Sequence, residues 1–131
     1  MHSPGYPAAA YRQAAIDTAP PGEIIVLLYR RAILACHQGA KCIEEKNFEK
    51  AHHNLVRAQQ IVFELRRSLN HEAGDVASGL QSIYDYLYQD LTEANVSKDA
   101  ALARQVGDMM ESLLEAWETV MGQREGADDG A

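Results

Sequence analysis

The fold class this sequence predicts is all-α: an antiparallel up-down-up-down four-helix bundle behind a short N-terminal arm or helix. Three observations predict it. Apolar residues recur three and four positions apart through four successive segments of roughly 20 to 25 residues, the pattern of helices that bury one face. Turn-forming clusters of only a few residues separate those segments, which returns each helix antiparallel to the one before. Prolines number four in 131 residues, and no stretch repeats another, which disfavours a solenoid of stacked repeats.

Residues 1–17 carry Tyr6, Tyr11 and Ile16 as their large apolar groups among prolines and alanines, so this flexible arm makes at most a short, loosely held helix. The bundle body then spans residues 18–121. Thr18-Ala19-Pro20-Pro21-Gly22-Glu23 reads as a helix start, with a proline near the first helical position and Glu23 facing the positive helix end. From there to about residue 45, Ile25, Leu28, Ala32, Ala35, Gly39 and Cys42 keep heptad spacing, while Ile24, Leu27 and Leu34 add a second apolar flank.

Asn47 breaks the pattern and caps the second helix, where Phe48, Ala51, Leu55, Ala58, Val62, Leu65 and Leu69 repeat the three-four spacing. Asn70-His71-Glu72-Ala73-Gly74-Asp75 is the next turn. The third helix follows to about residue 94 or 95 and is closed by residues 95–99. Its stripe of Val76, Leu80, Ile83, Leu87, Leu91 and Ala94 is widened by Tyr84, Tyr88 and Asn95 to an arc of about 140°. In the fourth helix Leu102, Val106, Met109, Leu113 and Val120 form one stripe, and Ala103, Met110, Leu114, Trp117 and Met121 broaden it to about 160°. Gly122 ends the pattern, and residues 122–131 read as a disordered acidic tail.

Such wide faces exceed what a bundle seam consumes, and the third helix mixes hydroxyls and a carboxamide into its apolar arc. A helix of that kind packs a core and also offers a groove to another helix. The formal charge of −7 disfavours a nucleic-acid or anionic-membrane surface, because no cluster of Lys and Arg stands out to displace phosphate counterions. The longest apolar run, residues 24–28, is too short to span a bilayer, and the N-terminus lacks the charged and apolar regions of a secretory signal. The expected setting is the cytoplasm and the expected partner a protein. Cys36 and Cys42, six residues apart on one helix, point about 120° apart and cannot pair, which suits a reducing compartment.

Catalysis has no visible seat. Glu49-Lys50-Ala51-His52 has the Glu-x-x-His spacing of di-iron bundles, but those sites need a second such motif and glutamates from the other helices. His37 as a phosphoacceptor lacks a basic neighbour at Gln38-Gly39-Ala40-Lys41, and Asp85 and Asp90 diverge by about 140° around their helix. No phosphate loop, Cys-x-x-Cys pair or Ser-His-Asp arrangement occurs. No catalytic residue, metal site or cofactor is therefore expected.

Several segments, taken in order, carry a resemblance. Thr18-Ala19-Pro20-Pro21-Gly22-Glu23-Ile24-Ile25-Val26-Leu27-Leu28-Tyr29, then Lys50-Ala51 through Ala58-Gln59-Gln60-Ile61 and Glu64-Leu65, then Leu80, Tyr84-Asp85-Tyr86, Leu91 and Ala94-Asn95, and finally Trp117, resemble the flagellin-specific export chaperones of the FliS family over about residues 6–120. Two departures stand out: Pro20 replaces the family's usual serine cap, and Arg30 replaces its usual acidic residue after Tyr29.

The resemblance implies a bundle that holds the C-terminal helical segment of flagellin in the cytoplasm, prevents premature polymerisation and hands it to the flagellar type III export apparatus. The alternative is a bundle adaptor or chaperone for another secreted or assembling helical protein. Residue reading and resemblance together nominate Ile61 and Leu65, then Leu80, Tyr84, Leu87, Tyr88, Leu91 and Asn95, then Met110 and Leu114, as the client surface. Each apolar one also occupies a position where it can serve the core, and Asn95 can serve as a helix C-cap. Tyr6, Tyr11 and Ile16 suggest a lid over the groove, which would lower apparent client affinity by the fraction of time it is closed.

Overall fold

A computed structural model describes the backbone of residues 22–130 and the side-chain surroundings of residues 22–119 apart from Ala73. The predicted arm, the lid residues Tyr6, Tyr11 and Ile16, and the Thr18 cap lie outside the described residues. Four helices follow one another: α1 (Gly22–Glu44), α2 (Phe48–Arg67), α3 (Asp75–Ser97) and α4 (Ala100–Gly130), with one 3-10 turn, His71–Ala73, between α2 and α3. Each packs on the next, and α4 closes the ring against α1. This is the all-α four-helix bundle that the periodicity predicts, with α1 and α3 on one diagonal.

Local chemistry fixes the turns. Lys46 adopts a left-handed φ of 61°, and the Asn47 amide donates back to the Cys42 carbonyl at 2.8 Å, ending α1 with a tight reversal. Asn47 Oδ1 then accepts the Lys50 amide at 3.3 Å, the side-chain cap expected of it. Gly74, at φ 73°, makes the reversal into α3 that a Cβ would strain. Lys98 repeats the left-handed ending at φ 53°, and Asp99 Oδ1 accepts the Leu102 amide at 3.0 Å to start α4.

Two boundaries differ from those predicted. α3 continues to Ser97, so Asn95 is an interior helical residue and Lys98 takes the capping conformation. α4 passes Gly122 and Gly126 and runs to Gly130 where the sequence suggests a disordered tail; each interior glycine costs a helix only about 1 kcal/mol, and no proline follows Gly122.

The core holds Tyr29, Leu55, Leu80, Tyr84, Leu87, Leu91, Met110 and Trp117 at no more than 1% exposure. Tyr29 and Tyr84 meet oxygen to oxygen at 2.5 Å, joining α1 to α3 through the centre of the bundle. Small residues bring α1 close to its neighbours: a Cβ on Gly39 would stand 2.7 Å from Leu55 Cδ2 of α2. On the outside, Arg104 binds both carboxylate oxygens of Glu44 at 2.6 and 2.7 Å, and Arg30 holds Glu118 at 2.5 Å, so two arginines clasp α1 to α4. Arg30, the departure from the family pattern, is therefore an interhelix ion pair.

The helix faces are narrower and rotated relative to the sequence reading. In α1 the buried line runs through Ile25, Tyr29, Ala32, Cys36, Ala40 and Ile43, while the predicted second flank of Ile24, Leu27 and Leu34 is exposed. In α4 the broadening set of Ala103, Met110, Leu114 and Trp117 is fully or almost fully buried, and Met109 faces outward. Burial pushes the Cys36 thiol up to about 12, because a thiolate there would be stripped of water. Cys36 and Cys42 are both free thiols.

Candidate protein-docking surface

The nominated client residues divide sharply. Ile61, Leu65, Leu80, Tyr84, Leu87, Leu91, Met110 and Leu114 are buried in the core, because at helical spacing a seam residue and a groove residue differ only by the angle at which helices meet. Tyr88 is 41% exposed, and Asn95 is partly exposed. The three neighbouring tyrosines of α3 thus take different places: Tyr84 lies inside, whereas Tyr86 and Tyr88 lie on the surface.

Around Tyr88 a groove of about 410 Å³ opens between α2 and α3, lined by Val62, Phe63, Arg66, Tyr84, Asp85, Tyr88 and Gln89. Its floor is Val62 and Tyr84, each 1% exposed; its apolar walls are Phe63 and Tyr88, 50% and 41% exposed. Polar contacts hold the two helices in register on either side. Arg66 Nε donates to Asp85 Oδ1 at 2.5 Å, and Gln59 Nε2 donates to Thr92 Oγ1 at 2.7 Å. That antiparallel register sets Phe63 opposite Tyr88. Farther along, Asn95 Nδ2 donates to His52 Nδ1 at 2.9 Å, while Lys98 Nζ donates to Asn95 Oδ1 at 2.6 Å.

His52, on the exposed surface, ties α2 to α3 through Asn95, and Asp85 is engaged by Arg66. His37 faces Asp108 across α1 and α4 at 3.7 Å. Among the described residues no group of three or more His, Cys, Asp or Glu is placed to hold a metal ion. The groove offers two aromatic faces, the paired guanidinium and carboxylate of Arg66 and Asp85, and a side-chain amide. Such a set grips apolar side chains and hydrogen-bonds a backbone; it has no nucleophile beside a base.

Phe63 is the residue sequence reasoning missed. It sits one position past the α2 stripe, and the available signal was an aromatic side chain outside the buried pattern. A second groove, about 630 Å³, lies on the other flank of α2, against α1, and is lined by Arg31, Leu34, Ala35, Gln38, His53, Asn54 and Arg57. No described helix is long and apolar enough to cross a membrane.

The described residues thus form a closed helical bundle with an aromatic-walled groove on its surface. The family model described as flagellar protein FliS matches residues 4–124, and the chain belongs to that family. It is 32% identical over 111 residues to the flagellar secretion chaperone FliS of Bacillus subtilis, covering 85% of this chain and 83% of that protein. It is 28% identical over 116 residues to the FliS chaperone of Vibrio cholerae, with 85% of each covered, and 26% identical over 110 residues to that of Salmonella typhimurium, with 82% of each covered. The family is one of chaperones and not of enzymes, and the role it supports for this chain is that of a flagellar export chaperone.

Proposed function

We propose that this protein binds the C-terminal helical segment of flagellin in the cytoplasm, keeps it from polymerising prematurely and supports its delivery to the flagellar type III export apparatus. The observation that carries the reading is the aromatic-walled groove between α2 and α3, where Phe63 and Tyr88 stand opposite each other over a floor of Val62 and Tyr84. An amphipathic helix laid along that seam would place one or two apolar side chains between the rings, and the flanking Arg66, Gln89, Gln59 and Thr92 would meet its polar edges.

Energetics require more than the groove. Each 100 Å² of apolar surface covered contributes about 2.5 kcal/mol gross, and ordering an unstructured client costs about 2–5 kcal/mol or more. The client therefore runs on along the bundle, where Tyr86, Val96 and Met109 are further exposed apolar groups of α3 and α4. Within this reading the ten nominated residues serve in two ways: Tyr88 and Asn95 meet the client, and the buried eight set the shape beneath it.

The test is capture of purified flagellin, full length against a form lacking its C-terminal segment. Retention of the full-length protein alone supports the reading. Equal capture of both forms overturns it and favours a less specific bundle adaptor.

A further inference from the structure

We propose that the groove between α1 and α2 is a second docking site, for an acidic amphipathic helix of a partner protein, and that it stays open while the α2–α3 groove is occupied. Charge placement carries the inference. Of the ten Lys and Arg among residues 22–119, Arg30, Arg66, Arg67 and Arg104 form ion pairs and Lys98 binds Asn95. The other five, Arg31, Lys41, Lys46, Lys50 and Arg57, make no side-chain hydrogen bond or ion pair among the described residues, and all lie on the α1–α2 hairpin.

The two halves of the bundle are also opposite in sign. Residues 22–67 hold eight Lys and Arg against five acids, while residues 72–119 hold two against ten. A cationic hairpin on a chain of net charge −7 is a local feature that overall composition conceals.

Leu34 and Ala35 give the groove an apolar side, and an exposed apolar line continues from Leu34 along α1. Ile24, Leu27 and Leu34, spaced three and seven apart on α1, are 43%, 44% and 56% exposed, and Arg31 sits on the same line. Arg31 and Arg57 flank the opening from opposite helices with His53 beside them, and no carboxylate lines it. A purely apolar occupant would strip water from two guanidiniums without pairing them, and a basic one would repel them. An amphipathic helix with glutamates beside its apolar stripe satisfies both, since guanidinium and carboxylate pair through two parallel hydrogen bonds. An anionic membrane fits less well: the site is a trough between helices, and the anionic half of the bundle opposes approach to a negative surface.

The two grooves lie on opposite flanks of α2, which is why one can be filled while the other is read. The inference does not depend on what fills the α2–α3 groove.

The experiment is an amide-resolved NMR titration of the intact protein with two designed peptides. Both carry leucines at three-four spacing; one is flanked by glutamates, the other by lysines. The expected result is that the glutamate peptide shifts amides on the outer faces of α1 and α2 near Arg31, Leu34, Gln38 and Arg57. Binding should be unchanged by Phe63→Ala with Tyr88→Ala. It should weaken by about tenfold or more in Arg31→Glu/Arg57→Glu, a reversal at two exposed positions, and that variant should accept the lysine peptide instead. If the reversal unfolds the bundle, Arg31→Gln/Arg57→Gln serves in its place, with the same loss expected. Equal binding of both peptides to the unaltered protein, or shifts confined to Phe63 and Tyr88, would overturn the proposal. So would phosphatidylglycerol vesicles that outcompete the glutamate peptide. A concentration-dependent dimer abolished by the reversal would assign the groove to a second copy and likewise overturn it.

Discussion

Replacing Gly39 by alanine sets two known effects against each other at the place where α1 comes closest to α2. Alanine is favoured over glycine inside a helix by about 1 kcal/mol. Against this, the new methyl carbon would stand 2.7 Å from Leu55 Cδ2 and 3.0 Å from Leu55 Cγ, where carbon contacts normally settle at about 3.5–4.0 Å. Leu55 is fully buried and has no open side to retreat to. Overpacking of this kind costs about 1–3 kcal/mol, so the clash prevails and a net loss of about 1–2 kcal/mol is expected.

Gly107→Ala is the matched control. There the nearest atoms are Nε2 and Cε1 of His37, at 2.8 and 3.1 Å, on a partly exposed ring that can swing outward, and only the Cβ of buried Cys36, at 3.2 Å, has to give by a few tenths of an ångström. Its loss of stability should be smaller than that of Gly39→Ala, at about 1 kcal/mol or less, because the helix gain offsets a milder contact. Urea unfolding followed by far-ultraviolet circular dichroism measures both. A double-mutant cycle adds a further condition: Leu55→Ala should cost less in the Gly39→Ala background than alone, because the extra methyl occupies part of the vacated space. A Gly39→Ala protein more stable than its parent, with no coupling to Leu55, would refute the close packing of α1 on α2.

Three further outcomes follow from the same geometry. The raised Cys36 thiol, at about 12 against an ordinary 9.0, binds its proton more tightly in the folded than in the unfolded chain. Stability should therefore be level below pH 9 and fall above it by up to about 1.4 kcal/mol per pH unit, until the folded value is passed; a Cys36→Ala protein should lack that slope. Cys42, partly exposed, should react with a thiol reagent at pH 8 in the folded state, and Cys36 only on unfolding. Leu91→Ala removes a side chain at 0% exposure and should cost about 2–5 kcal/mol of stability, whereas Tyr88→Ala should leave urea unfolding within about 0.5 kcal/mol of the parent.

The repeat of apolar residues at three and four fixes where helices lie, and it does so here for all four, with Asn47 and residues 70–75 marking the breaks. It fixes less well which side of a wide face is used. Ile24, Leu27 and Leu34 keep helical spacing as faithfully as the buried line beside them, and only the crossing of α1 over its neighbours turns one inward and the other out. Tyr84 and Tyr88 show the same ambiguity one turn apart. Phe63 escaped notice because it lies off the stripe, and exposed aromatics become informative only when a partner such as Tyr88 is set opposite. Long-range polar pairs, Arg66 with Asp85 and His52 with Asn95, depend on interhelix register that no single helix encodes. Gly122 ends the apolar pattern without ending the helix, because the cost of a glycine is small enough for a helix to absorb.

Whether the groove between Phe63 and Tyr88 receives flagellin is settled most directly by calorimetric titration of the C-terminal flagellin segment into the parent protein and into Phe63→Ala/Tyr88→Ala. The account predicts binding to the parent and a loss of about tenfold to a thousandfold in the variant, as two central aromatic anchors are removed, with helical content unchanged. Equal affinity for both proteins would contradict it.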